Sequence, residues 1–254
     1  MCFDLDSRPP IDPIAGGALE HEGLQLTAAD GATFRGFFAR AAAPTGAGMI
    51  VLPDVRGLHG YYEELTLRFA EAGIDALAID YFGRTATDDD RGEGFPFMDH
   101  MAVVGWETVA QDIAAAATSL RERTGVRSLF TVGFCFGGRL SFVSATLGLG
   151  LGGVIGFYGW PGGTARGGVP APTEVTARLA APVLGIFGGA DAGIPAEVVD
   201  AFDGALAAAE VPHEIVTYPG APHSFFDRKQ ADFAEDSADS WARVLAFVRE
   251  NTAA

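Results

Sequence analysis

Four residues of this chain carry groups that could do chemistry together: Asp54, Cys135, Asp191 and His223. A thiolate is a strong nucleophile, an imidazole moves protons near neutral pH, and a carboxylate can fix the imidazole tautomer and support its positive form. Each of the four follows a short apolar or β-branched run that reads as a strand: residues 49–52, 129–132, 183–187 and 213–218. In an open α/β sheet the space beyond the carboxyl ends of the strands is where a site forms. The pattern predicts acyl transfer, with Cys135 attacking, His223 taking and returning a proton, and Asp191 orienting His223.

The run SLFTVGFCFGGRLS, residues 128–141, shows how the nucleophile would be held. A strand that turns this sharply into a helix needs glycine on both sides of the apex, because side chains at Gly133 and Gly137 would collide with neighbouring backbone. Cys135 then sits at the apex, beside the first free N–H groups of the next helix, where partial positive charge favours thiolate over thiol. An oxyanion would be met by the main-chain N–H of Phe136 and, from the loop after residues 49–52, that of Val55. Arg56, Arg84 and Arg228 are the available cations. Arg56 and Arg84 follow strand ends on the active side, where a guanidinium could hold a substrate carboxylate.

Blander readings exist for the same residues. Asp191 could cap the helix that begins near Pro195, and any of the arginines could serve only in surface ion pairs. His21, His59, His100 and His213 do not make metal-ligand spacing with either cysteine, so no zinc site is expected, and the acyl-transfer reading calls for no cofactor.

The elements that must position these groups alternate. Residues 1–20, with Pro9, Pro10 and Pro13, read as an irregular lead-in, and residues 21–254 as a single domain without a dividing linker. Asp30-Gly31 between runs 23–27 and 33–39 signals an antiparallel hairpin at a sheet edge. Strands are then expected at 49–52, 74–79, 129–132, 154–159, 183–187 and 213–218. Helices are expected at 61–72 and 104–123, from the elbow to about 147, from Pro195, and over a last amphipathic stretch carrying Trp241, Val244, Leu245 and Val248. Residues 85–100, with three consecutive aspartates, read as a solvent-facing loop able to fold over the sheet edge, and 160–172, rich in glycine and proline, as a further loop. Strand–helix alternation predicts a mostly parallel sheet covered on both faces, with an antiparallel N-terminal edge.

Composition narrows the function. The formal charge is −16 and the 17 basic residues include one lysine, Lys229. Such a chain repels nucleic acid and anionic membrane surfaces, and the lone lysine sits among charged residues, where a Schiff-base mechanism is unfavourable. Two cysteines, Cys2 and Cys135, exclude a disulfide framework and suit a reducing compartment. The start MCFDLDSRPP lacks the basic and apolar regions of a secretory signal, so a cytoplasmic protein is expected, as a monomer or small homo-oligomer.

The strings GFCFGG, GGADAGIP and YPGAPHSFFDR resemble the dienelactone hydrolase, or carboxymethylenebutenolidase, family over roughly residues 20–250. The resemblance implies a three-layer α/β-hydrolase fold and a Cys-Asp-His triad at Cys135, Asp191 and His223. It also implies opening of an unsaturated lactone that bears a carboxylate, through a cysteinyl thioester. It sets Asp54 at the position of a glutamate that partners the resting cysteine, and Arg84 at that of an arginine contacting the substrate carboxylate. Three positions depart from the pattern: Asp54 is one methylene short, Arg56 replaces a large apolar residue, and a second family arginine meets Asp227, with Arg228 one place out of register. Two alternatives stand beside this reading. One is a general small-ester or thioester hydrolase, and the other a non-catalytic redox-sensing or binding domain that uses Cys135.

Overall fold

A computed structural model describes residues 3–163 and 166–253, so Cys2 lies outside the described residues. Eight strands form one sheet: β1 (Ala18–Thr27), β2 (Thr33–Ala41), β3 (Ala47–Leu52), β4 (Asp75–Ile79), β5 (Ser128–Phe134), β6 (Leu151–Phe157), β7 (Val183–Gly188) and β8 (His213–Tyr218). Their spatial order is β1-β2-β4-β3-β5-β6-β7-β8. The hairpin β1–β2 and the β2–β4 contact are antiparallel, and every later pairing is parallel. The Asp30-Gly31 signal acts as expected. Gly31 takes φ +84, and the Asp30 carboxylate accepts the N–H of Ala32 at 3.1 Å.

Among the described residues, six α-helices accompany the sheet: α1 (Gly60–Glu71), α2 (Phe97–Met101), α3 (Trp106–Thr124), α4 (Phe136–Ser144), α5 (Ala196–Ala208) and α6 (Ala234–Glu250). Right-handed crossovers decide their faces. The step from β3 to β4 runs one way along the sheet and sets α1 on one face. Every later step runs the other way and sets α3, α4 and α5 opposite. The chain then returns α6 to the first face, where Trp241 packs 4.9 Å from the Phe69 ring of α1, while Phe142 of α4 meets Phe202 of α5 at 5.0 Å. Strands β3, β4, β5 and β7, covered on both sides, are buried at every residue. The reversal of direction at β3 opens a crevice between the ends of β3 and β5.

One sequence expectation needs correction, and a second is refined. The lead-in is irregular only as far as Gly17, since β1 begins at Ala18, and it is not detached from the domain. Phe3 is 2% exposed, and its ring stacks 3.9 Å from that of Tyr61. Prolines exclude regular structure there without preventing burial, because the segment's polar groups find partners in the domain. The N–H of Arg8 donates to Asp227 and that of Ile14 to Glu71. The stretch 85–100 is solvent-facing at its acidic cluster but anchored in the protein at Arg91. Asp88, Asp89 and Asp90 are exposed, but Arg91 is buried, with Nε 2.8 Å from Asp80 Oδ2 and its guanidinium 4.3 Å above the Phe95 ring. No described helix is long and apolar enough to cross a membrane.

Candidate active site

The end of β5 makes the turn that its glycines require. Cys135 takes φ 55 and ψ −115, a conformation that costs a non-glycine residue roughly 1–3 kcal/mol and persists only where its surroundings over-determine it. A Cβ on Gly133 would lie 1.9 Å from the carbonyl oxygen of Gly137, and one on Gly137 would lie 2.1 Å from that of Leu52. Nothing larger than hydrogen fits at either place, so the backbone closes tightly under the apex. The N–H of Cys135 donates to Phe157 O at 3.0 Å, which ties the apex to the neighbouring strand. Phe136 is the first residue of α4, so its N–H has no intrahelical acceptor.

Asp191 and His223 converge on Cys135 from the ends of β7 and β8. Nδ1 of His223 lies 2.6 Å from Asp191 Oδ2, and the imidazole is also hydrogen-bonded to Cys135. Burial alone would push the His223 pKa down. Its bonds to Asp191 and Cys135, with the charges of both, outweigh burial and raise it to about 9. Asp191 is not a helix cap. Helix α5 starts later, at Ala196 with Pro195 as its cap, and Asp191 Oδ1 instead accepts the N–H of Gly193 at 2.8 Å. Burial opposes ionisation of Asp191, but His223 and the main-chain N–H groups of Gly193 and Ile194 hold its pKa below the ordinary value.

Asp54 faces the same sulfur from the end of β3. It is 1% exposed; burial first, and then the charge of Cys135, push its carboxyl up to about 7. Three donors restrain that rise: the N–H of Arg56 at 2.8 Å, the N–H of Phe3 at 3.1 Å, and the Tyr62 hydroxyl. The same hydroxyl accepts the main-chain N–H of Asp54 at 2.9 Å, while that of Tyr81 donates to Pro53 O at 2.8 Å. The loop carrying Val55 is therefore held from α1, from the end of β4 and from the lead-in.

The arginines fare differently. Arg56 keeps capacity to spare: its guanidinium lies 3.7 Å from Asp4 and 5.4 Å above the Phe97 ring, and its buried Nε has no partner among the described residues. Arg84, expected to hold substrate, has its guanidinium committed to Asp112 at 2.7 Å and Asp30 at 2.6 Å, with Asp112 fully buried. A helix carboxylate with no other partner among the described residues takes the guanidinium, which in turn joins α3 to the β1–β2 turn. Arg228 is half exposed and donates to Ile11 O at 3.2 Å, so it fastens the lead-in. A cavity of about 530 Å³ opens beside His223, walled by Phe3, Asp4 and Ser7 on one side and by Asp191, His223 and Lys229 on the other.

The profile of the dienelactone hydrolase family matches residues 34–252. The chain belongs to the dienelactone hydrolase family. A Salmonella typhimurium relative named "Putative carboxymethylenebutenolidase" is 31% identical over 90% of this chain and 87% of its own. A Saccharolobus solfataricus protein of the same name is 27% identical over 87% and 95%. A crystal structure of a "Putative Dienelactone Hydrolase" from Klebsiella pneumoniae superposes with a TM-score of 0.78 at 28% identity, over 91% of this chain and 99% of that one. Membership makes this chain a hydrolase with the mostly parallel α/β-hydrolase sheet described above.

Several residues in and around the candidate site escaped the sequence reading. Phe3 did, because prolines downstream mask it. Tyr62 and Tyr158 did, because a tyrosine in an apolar context reads as core. Arg139 did as well. Although 2% exposed, it donates to five main-chain carbonyls, those of Trp160, Gly162, Gly163, Val169 and Pro170, and so pins the loop after β6 to α4. An arginine four residues past the elbow, in a helix with no other charged residue, was the available signal.

Proposed function

We propose that the protein hydrolyses small lactones or esters through a thioester on Cys135, with His223 as the proton shuttle and Asp191 as its orienting carboxylate. The observation that carries this reading is the hydrogen-bonded chain Asp191–His223–Cys135 assembled on a strained turn. The thiol gives its proton to His223, and sulfur attacks the carbonyl carbon. The carbonyl oxygen becomes an oxyanion, met by the N–H groups of Phe136 and Val55. As the tetrahedral centre collapses, the C–O bond to the leaving oxygen breaks and that oxygen takes the proton from His223. In a lactone the leaving group stays tethered to the acyl part. His223 then deprotonates a water, which attacks the thioester, and the C–S bond breaks to return the thiolate. No metal or cofactor enters these steps.

The substrate class is an anionic lactone, as implied for the family, with Arg56 as the guanidinium that reads its carboxylate and Asp54 taking the place of the resting partner of the thiol. Commitment of Arg84 to Asp112 and Asp30 favours a second reading, in which neutral small esters are turned over as well. A reducing, cytoplasmic setting keeps Cys135 as a thiol. Acid quenching during turnover, followed by mass spectrometry of the Cys135 peptide, should reveal the acyl adduct. Cys135→Ala should be inactive with an unchanged fold, and Cys135→Ser severely impaired, because an alkoxide is much harder to form than a thiolate. Full activity in Cys135→Ala would end this reading; a wild type that hydrolyses neither lactone nor ester would leave the binding-domain alternative.

A further inference from the structure

Tyr158 is the first residue after β6, and the register of β5 with β6 pairs Phe134 with Phe157. Tyr158 and Cys135 therefore stand side by side at the ends of neighbouring strands. Both are non-glycine residues in the left-handed region, at φ 38 and φ 55. The Tyr158 side chain is 1% exposed and lies among the rings of Phe134, Phe157 and Phe225, with the His223 imidazole centred 4.8 Å away.

Its hydroxyl is set apart from those around it. Tyr61 donates to Phe226 O, Tyr62 is bonded to Asp54, and Tyr81 donates to Pro53 O. The Tyr158 hydroxyl is buried with no partner among the described residues. A native fold rarely keeps a buried O–H unpaired without a cause. Burial, followed by the charges of Tyr61, Cys135, Asp54 and Asp227, holds it protonated well above its ordinary range, so it is a donor at every working pH. Of the two reactive neighbours, Asp54 already accepts from Phe3, Arg56 and Tyr62. Sulfur is the atom whose acceptor strength changes in turnover: a thiol accepts weakly, a thiolate strongly.

We propose that Tyr158 is a further catalytic residue, whose hydroxyl donates a hydrogen bond to the Cys135 sulfur once the thiol has passed its proton to His223. The inference rests on Cys135 being the nucleophile. In the step, the S–H bond breaks, its electron pair stays on sulfur, and the proton goes to His223; Tyr158 keeps its own proton. A bond that strengthens only as charge develops lowers the barrier without deepening the resting state. The groups that face the sulfur are then His223 from the end of β8, Asp54 from the end of β3, and Tyr158 from the end of β6.

Tyr158→Phe tests this, because it removes only the oxygen. The value of kcat/KM should fall about ten- to hundredfold, the worth of a hydrogen bond to a charged group. Alkylation of Cys135 by iodoacetamide at pH 7 should slow in step, and its half-maximal pH should move upward. The Tm should stay level or rise, since an unpaired buried hydroxyl has been removed. Unchanged turnover and alkylation in a folded Tyr158→Phe protein would overturn the proposal, and so would a clearly lowered Tm, which would reveal a structural partner. Cys135→Ala separates the two inferences. If it is active, the nucleophile assignment fails; if it is inactive while Tyr158→Phe behaves as wild type, only the role of Tyr158 fails.

Discussion

Oδ2 of Asp191 lies 2.6 Å from Nδ1 of His223, across 32 residues of chain and from the end of an adjacent strand. The bond leaves the other ring nitrogen for Cys135. Because the folded pKa of His223 is about 9, above the ordinary 6.5, its protonated form favours the folded state. That contribution is complete below about 6.5 and is lost as pH rises through about 9. A urea-midpoint series should therefore decline across that window in wild type and decline less in His223→Gln. In an NMR titration, the His223 midpoint should fall in Asp191→Asn and also in Cys135→Ala. Asp191→Asn should lose about 10⁴-fold in kcat by analogy with other triads.

Arg84 provides a test of stability. Removing it leaves Asp112 buried and unpaired, which costs about 3–5 kcal/mol. Arg84→Ala should lower the urea midpoint accordingly, and Arg84→Met with Asp112→Leu should recover much of the loss. The relative rates on a carboxylate-bearing lactone and its methyl ester should stay the same in the folded variants. A changed ratio would return Arg84 to the substrate.

Arg56 provides the complementary test. If it reads a substrate carboxylate, Arg56→Ala should lower kcat/KM for the anionic lactone about ten- to hundredfold and spare the methyl ester. Equal rates on the two compounds in wild type, unaffected by the substitution, would favour the neutral-ester reading.

Phe3 tests whether the lead-in belongs to the core. Phe3→Ala removes a ring stacked on Tyr61 and should cost about 3–5 kcal/mol if the segment stays docked. If the segment undocks instead, limited proteolysis should cut within residues 4–14. A Tm and digestion pattern matching wild type would show that the segment contributes little.

The sheet, the elbow and the strand-end positions of Asp54, Cys135, Asp191 and His223 were legible because period, turn glycines and strand ends are local signals. The fate of Arg84 was not, because Asp112 reads as one more polar residue of α3 until the helix is placed against β4 and its carboxylate needs a cation. Phe3 and Tyr158 were hidden for a related reason. What matters about each is a partner, or the lack of one, on a distant element, and no spacing rule reports that. Arg56 directly follows Val55 in the chain, so its neighbourhood to the proposed oxyanion donor is a local relation that sequence alone reports.

The docking of the lead-in also bears on how the chain reaches its final state. Phe3 needs Asp54 and Tyr61, but Arg8 bonds a residue 219 positions away, and Lys229 reaches back 223 positions to Asp6. On a ribosome the first residues emerge long before their last partners exist, and synthesis at about 5–20 residues per second leaves them waiting for many seconds. Closing so long a loop costs entropy that only the nearly complete domain can offset. The start of the chain is thus among the last parts to lock. A nascent protein would hold its sheet and elbow before it had a finished wall beside His223.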